Sequence, residues 1–235
     1  MIKRQRFICC SLTVLLGLAL SGCQHSGVRI SGHFDHGGKM LFLDEITPES
    51  VVTKDTILLV NGSFDYRFKP ENEGIFRLRV NDTSHLSFVA GGNDRLTFSG
   101  DARDLSRSYR VTGNISSEML WESNRRIREM YAVTDSLSRI FLQAKQADSL
   151  WAVSPALDSC YYAHFLSCKS ALAALIEKHP SELAALPIFF QQIGVNRFFS
   201  EEKDSALYLM MKKELSAAHP DNPHIKALQE KEIYE

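Results

Sequence analysis

Two cysteines and a histidine stand one helical turn apart: Cys160, His164 and Cys168 fall at i, i+4 and i+8. Thiolate and imidazole are ligands for soft metals, and two neighbours in such a stripe can share an ion. All three cannot, because a rise of about 1.5 Å per residue puts the outer pair about 12 Å apart. The same separation forbids a Cys160–Cys168 disulfide on an unbroken helix. Tyr161, Phe165 and Leu172 continue the stripe, and cysteine is among the residue types most often buried. The favoured reading is therefore core packing, with metal binding or redox sensing as the alternatives. His33, Asp35 and His36 form a second group, at the end of a strand pattern, where residues 33 and 35 share a face and permit a surface metal clip. Ahead of Gly37 and Gly38, a polar turn is the plainer meaning. Arg77 with Arg79, and Arg125 with Arg126 and Arg128, suggest basic patches toward an anionic glycan or headgroup. With Glu118, Glu122 and Glu129 close by, solvated faces are the expectation instead. The chain has no Gly-x-Ser-x-Gly, phosphate-binding loop, His-Glu-x-x-His or Cys-x-x-Cys. No catalytic residue, metal or cofactor is assigned.

The start of the chain carries chemistry of another kind. Lys3, Arg4 and Arg6 precede an uncharged run from Phe7 to Leu20, too short to span a bilayer and suited to a secretory signal. Leu20, Ser21, Gly22 and Cys23 follow at once, an order that resembles the bacterial lipobox, whose cysteine is acylated and becomes the mature N-terminus. Gln24 stands where an aspartate would signal retention in the inner membrane. The expectation is a lipid anchor at Cys23, with the protein held in the outer membrane and facing the periplasm. Loss of residues 1–22 leaves 24 Lys and Arg against 28 Asp and Glu, a net charge of −4 that makes nucleic acid an unsuitable partner. An apolar share of 44% and a charged share of 23% belong to a packed chain.

Alternation organises the next part. Phe64, Tyr66 and Phe68 interleave with Ser63, Asp65 and Arg67, and Phe76, Leu78 and Val80 interleave with Arg77, Arg79 and Asn81. Turn residues divide residues 28–113 into about eight strands: 28–34, 39–46, 56–60, 63–69, 75–80, 86–90, 95–99 and 108–112. Gly37-Gly38 and Asn61-Gly62 read as tight hairpins. With no helix expected between them, the strands make an antiparallel β-sandwich or a partly open barrel. From residue 114 the period changes to that of helices. Ser116 reads as the cap of a long helix, Ser154-Pro155 as the start of a second, and Ser181 and Ser200 as caps of shorter ones over 182–193 and 201–218. A final helix follows Pro223. The class is α+β: a signal over 1–22, a tether over 23–27, a β-domain over 28–113 and a domain of helical hairpins over 114–235.

In this order the pieces resemble domain-of-unknown-function family 4369. The residues that carry the likeness are Asp55-Thr56, Asn61 to Phe64, Gly92 to Asp94, Tyr109, Val111 and Gly113, with His179 to Ser181 and His219 to Pro223. That domain stands ahead of a thioredoxin-like domain in envelope lipoproteins. The resemblance implies an accessory region, here without the Trp-Cys-x-x-Cys that gives its relatives disulfide chemistry. The function expected is a non-catalytic binding module for an envelope protein or small ligand, tethered to the bilayer through Cys23. The alternatives are a redox component that works with a separate thioredoxin-like partner, or a truncated reductase.

Overall fold

The computed structural model describes residues 27–230; the signal, Cys23 and the last five residues lie outside them. The chain is α+β, with strands first and long helices after. Eight strands build two four-stranded sheets packed face to face as an open sandwich: β1 (Val28–Asp35), β2 (Met40–Ile46), β3 (Val51–Leu58), β4 (Ser63–Phe68), β5 (Gly74–Arg79), β6 (His85–Ala90), β7 (Arg95–Asp101) and β8 (Arg110–Thr112). Sheet A runs β4-β1-β7-β8 and sheet B runs β3-β2-β5-β6. Between β7 and β8 lies a single turn of helix, α1 (Leu105–Ser108), which the alternation did not announce.

Two expectations about pairing are corrected. Strands β1 and β2 do not form a hairpin across Gly37-Gly38; they lie in different sheets. Asn61 and Gly62 do take the positive φ of a primed turn, 51° and 79°, yet the ladder beyond them is one bridge long, Val60 to Ser63. After that bridge the chain passes from sheet B to sheet A. The sandwich is also not wholly antiparallel, because β1 pairs parallel with β7, setting Ile30 beside Leu96 and Gly32 beside Phe98.

Inward residues of both sheets form one core. An aromatic path crosses it from Phe34 through Phe64, Phe98, Phe88 and Phe76 to Phe68 and Tyr66, with ring centroids 5.0–6.4 Å apart. The helices form a second core on the outer face of sheet B, to which the strands add Ile75 and Val89.

The long helix α2 (Ile115–Gln146) begins two residues earlier than expected. Asn114, not Ser116, caps it, accepting a hydrogen bond from the Ser117 amide at 2.8 Å. Ser116 instead lies buried in the first turn and donates to Glu182. Asn114 and Ser117 also bond both backbone groups of Val89, and so close the free edge of β6. The next helix, α3 (Leu150–Lys178), starts before Pro155 and carries it inside. The proline forfeits one bond to the carbonyl of Trp151, which sits on the exposed side where water can replace it.

The helix expected over 182–193 is shorter, α4 (Ala185–Phe189). It gives way to a two-residue hairpin, β9 (Gln192–Ile193) with β10 (Asn196–Arg197), turned by Gly194 at φ 57°. Asp204 precedes α5 (Ser205–Ala218), the stretch from Ser200 being a turn in which Ser200 N–H bonds Asp204. The final helix is α6 (Pro223–Glu230). No helix among the described residues is long and apolar enough to cross a membrane.

Candidate functional site

A cleft of about 410 Å³ opens between the two sheets at the end of the aromatic path. Tyr66, Phe68 and Phe76 line it, Pro48 and Pro70 belong to loops at its rim, and α6 borders it through Pro223 and His224. One irregularity shapes it. The pairing of β2 with β3 shifts between Leu43 and Asp44, leaving Lys54 as an extra residue. Thr53 and Asp55 have the same parity and would otherwise share a face. The bulge separates them: Thr53 meets Asp44 on the outer face, while Asp55 lies opposite Leu43 and reaches Tyr66 of the other sheet. Tyr66 donates to Asp55, and burial, assisted by that carboxylate, pushes the phenol up to about 12. The bond from Tyr66 in turn holds the Asp55 carboxyl below its usual range.

Charge around the cleft is mixed. Lys54 pairs with Glu45 at 3.0 Å, and Lys69, Glu71 and Glu73 stand along the rim. Burial raises the carboxyl of Glu73, opposed by His219 and reinforced by Glu182 and Asp94. His219 faces Glu73 through Nδ1 at 3.4 Å and the Ser181 carbonyl through Nε2 at 2.8 Å.

Helix α6 is held at the cleft by polar bonds from distant parts of the chain. Asn222 donates to the carbonyl of Glu73 at 2.6 Å and accepts from the His224 amide, and His224 Nε2 donates to the carbonyl of Ile46 at 2.9 Å. Burial lowers the pKa of His224, so the ring stays neutral with its lone pair on Nδ1. The unfolded value is about 6.5 and the folded value lies below it, so between the two the released helix binds a proton that the docked helix resists. Docking of α6 is therefore fully present above about pH 6.5 and weakens as pH falls below it. Hydrogen exchange of the α6 amides at pH 7 and pH 5, corrected for intrinsic rates, should show lower protection at pH 5; equal protection would refute this account.

Cys160, His164 and Cys168, and His33, Asp35 and His36, do not line this cleft. Cys160 is half-buried, His164 exposed and Cys168 buried along α3, both thiols free. His164 and Cys168 border a shallow hollow against Arg126 and Glu129 of α2. Burial pushes the Cys168 thiol up to about 11. Among the described residues no three His, Cys, Asp or Glu side chains are placed to hold a metal. His33 approaches Ser63 and, at 3.5 Å, Asp35, whereas His36 turns to Asp101 at 3.2 Å.

The arginine pairs fare differently from one another. Arg125 and Arg126 are tied to Glu122 and Glu129, as expected of a solvated face, while Glu118 instead accepts from the Gly113 amide. Arg77 and Arg79 are no open patch. Both clamp Asp44, whose side chain has no exposed area, at 2.7 and 2.8 Å, and Arg79 also lies over Phe42. Asp55 and His224 escaped the sequence as cleft residues; the only local signal was a loop proline near each wall, at 48, 70 and 223. No protein-family model, curated protein or solved structure matches this chain.

Proposed function

We propose that this chain is a non-catalytic binding module of the bacterial envelope, anchored in the outer membrane through acylated Cys23, facing the periplasm, with the sandwich cleft as its binding site. The observation that carries the reading is the cleft: aromatic rings at its base, a carboxylate aimed in by a β-bulge, and a rim closed by the far end of the chain. Such a mixture suits a polar ligand that has one apolar face. The likeness to domain-of-unknown-function family 4369 supports a role as the accessory half of a thioredoxin-like system. A thiol at about 11 supplies almost no thiolate at neutral pH, which favours this reading over redox work by Cys168.

A photo-crosslinking side chain in place of Glu71, at the cleft, is expected to capture an envelope component in cells. The same group in place of Lys213, on the exposed face of α5, should not. Identical labelling from both positions would remove the cleft from the proposal. Insulin reduction by the purified mature chain should stay at background, and thiol-dependent turnover would sink the non-catalytic reading.

A further inference from the structure

A second cleft, of about 400 Å³, lies where α1 and α2 meet β6, and its lining differs from that of the first. His85 and Ser87 come from β6, Ser106 and Arg107 from α1, and Arg128 and Tyr131 from α2. Two guanidiniums, one imidazole and several hydroxyls line this space, and no carboxylate does.

Arg128 sets its character. The guanidinium is half-buried and spends one donor, from Nη1, on the Ser106 carbonyl at 2.9 Å. Its neighbours Arg125 and Arg126 are each paired with Glu122 and Glu129, but among the described residues no carboxylate forms an ion pair with Arg128. Glu129 and Asp104 both act on Arg128 through space, but Glu129 is held by Arg125 and Asp104 is already engaged. It accepts from the Arg107 amide and the Ser106 hydroxyl as the cap of α1, and it stands 3.4 Å from the Arg107 guanidinium.

The β6 wall adds open hydrogen-bonding capacity. The Nδ1 atom of His85 is buried with no hydrogen-bond partner. Across the sheet, His85 and Ser87 stand opposite Arg79 and Arg77, which both hold the buried carboxylate of Asp44, Arg79 lying also 4.0 Å from Asp82. A partly desolvated guanidinium with open donors, in a cleft that no carboxylate lines, is complementary to an oxyanion. Leu86 and Ile127 give the cleft an apolar floor, and the half-exposed ring of Tyr131 stands at its wall.

We propose that this cleft binds an oxyanion, phosphate or carboxylate, carried on a small apolar group, with Arg128 as its principal ligand. The site is separate from the sandwich cleft, so either can fail alone. Phenyl phosphate and benzoate are the soluble probes, with benzyl alcohol as the neutral control and vesicles of phosphatidylglycerol or phosphatidylcholine as the headgroup arm.

In heteronuclear spectra of the mature chain, either anion should shift the Arg128 side-chain Nε–Hε signal and the β6 amides, and benzyl alcohol should not. Arg128→Gln should weaken binding about ten- to hundredfold, the loss of a charge-assisted contact. Arg128→Lys, which keeps the charge but not the fork, should retain a part of it and controls for folding. Binding of the free anions assigns a soluble ligand; binding of phosphatidylglycerol vesicles alone, lost in Arg128→Gln, assigns a headgroup. The proposal is overturned if neither anion nor vesicle binds, if benzyl alcohol binds as well as benzoate, or if a folded Arg128→Gln protein binds like the parent.

Discussion

Asp44→Ala is expected to destabilise the protein by about 3–5 kcal/mol, the range for removing one partner from a buried, hydrogen-bonded charge cluster. Asp44 has no exposed side-chain area, and three neighbours converge on it: Thr53 donates at 2.7 Å, Arg77 from Nε at 2.9 Å and from Nη2 at 2.7 Å, and Arg79 from Nε at 2.8 Å. Without the carboxylate, two half-buried guanidiniums stand on one face of β5, two residues apart, with nothing between them. With a urea m-value of about 2 kcal/mol/M, the midpoint should fall by about 1.5–2.5 M. Burial alone would raise the Asp44 carboxyl, but the bonds from Thr53, Arg77 and Arg79 outweigh it and the net shift is downward. A carboxyl with a depressed folded pKa stabilises the protein above its unfolded value of about 3.9, and that contribution is lost as pH falls through the folded value. Wild type should therefore lose stability below about pH 4 more steeply than Asp44→Asn. A change under about 1 kcal/mol in Asp44→Ala would show that the cluster does not hold the outer face of sheet B together.

Gly32→Ala should be almost as severe, for a steric reason. A Cβ at this position would stand 2.2 Å from the carbonyl oxygen of Phe98 and 2.9 Å from its carbon. Both atoms belong to the backbone of β7, so no rotamer change relieves the clash. β1 lies between β4 and β7, and moving it from one strands the bonds of both. We expect a loss of about 3 kcal/mol or more, at the upper end for an added methyl in a packed interior. Gly38→Ala is the control, since a Cβ there meets nothing within 4 Å and should change stability by less than about 0.5 kcal/mol. Equal melting temperatures for the two variants would show that β1 and β7 can part without penalty.

Alternation told which side of each strand is apolar, and it was a faithful guide: Phe64, Phe76, Leu78, Leu86 and Phe98 all face the shared core. It carried no information about which strand lies beside which. Asn61-Gly62 makes the turn its residues demand, but a turn two residues long cannot specify whether its flanking strands continue together. The first half of β3 went unread because Val51 to Asp55 lacks a clean period, and the cause is the bulge at Lys54 that creates the cleft. Arg77 and Arg79 looked wetted because they alternate with core residues; their partner Asp44 lies more than thirty residues away, beyond any local pattern. The cleft was hidden for the same reason, since His224 meets Ile46 across 178 positions of sequence. Long-range pairing is decided by the whole fold, and a single chain read locally does not contain it.

The crossing of consecutive strands between sheets also governs how quickly the protein is made whole. Ile30 waits for Tyr66, and then for Leu96, before both its flanks are filled. Closing such wide loops costs entropy before any contact rewards it, which slows the reaction. A chain emerging N-terminus first has no early half that can shut by itself: until about residue 100 has appeared, β1 offers an unfilled edge to any neighbouring strand. In that condition the chain is open to mispairing that the finished sandwich, with β1 flanked on both sides, excludes.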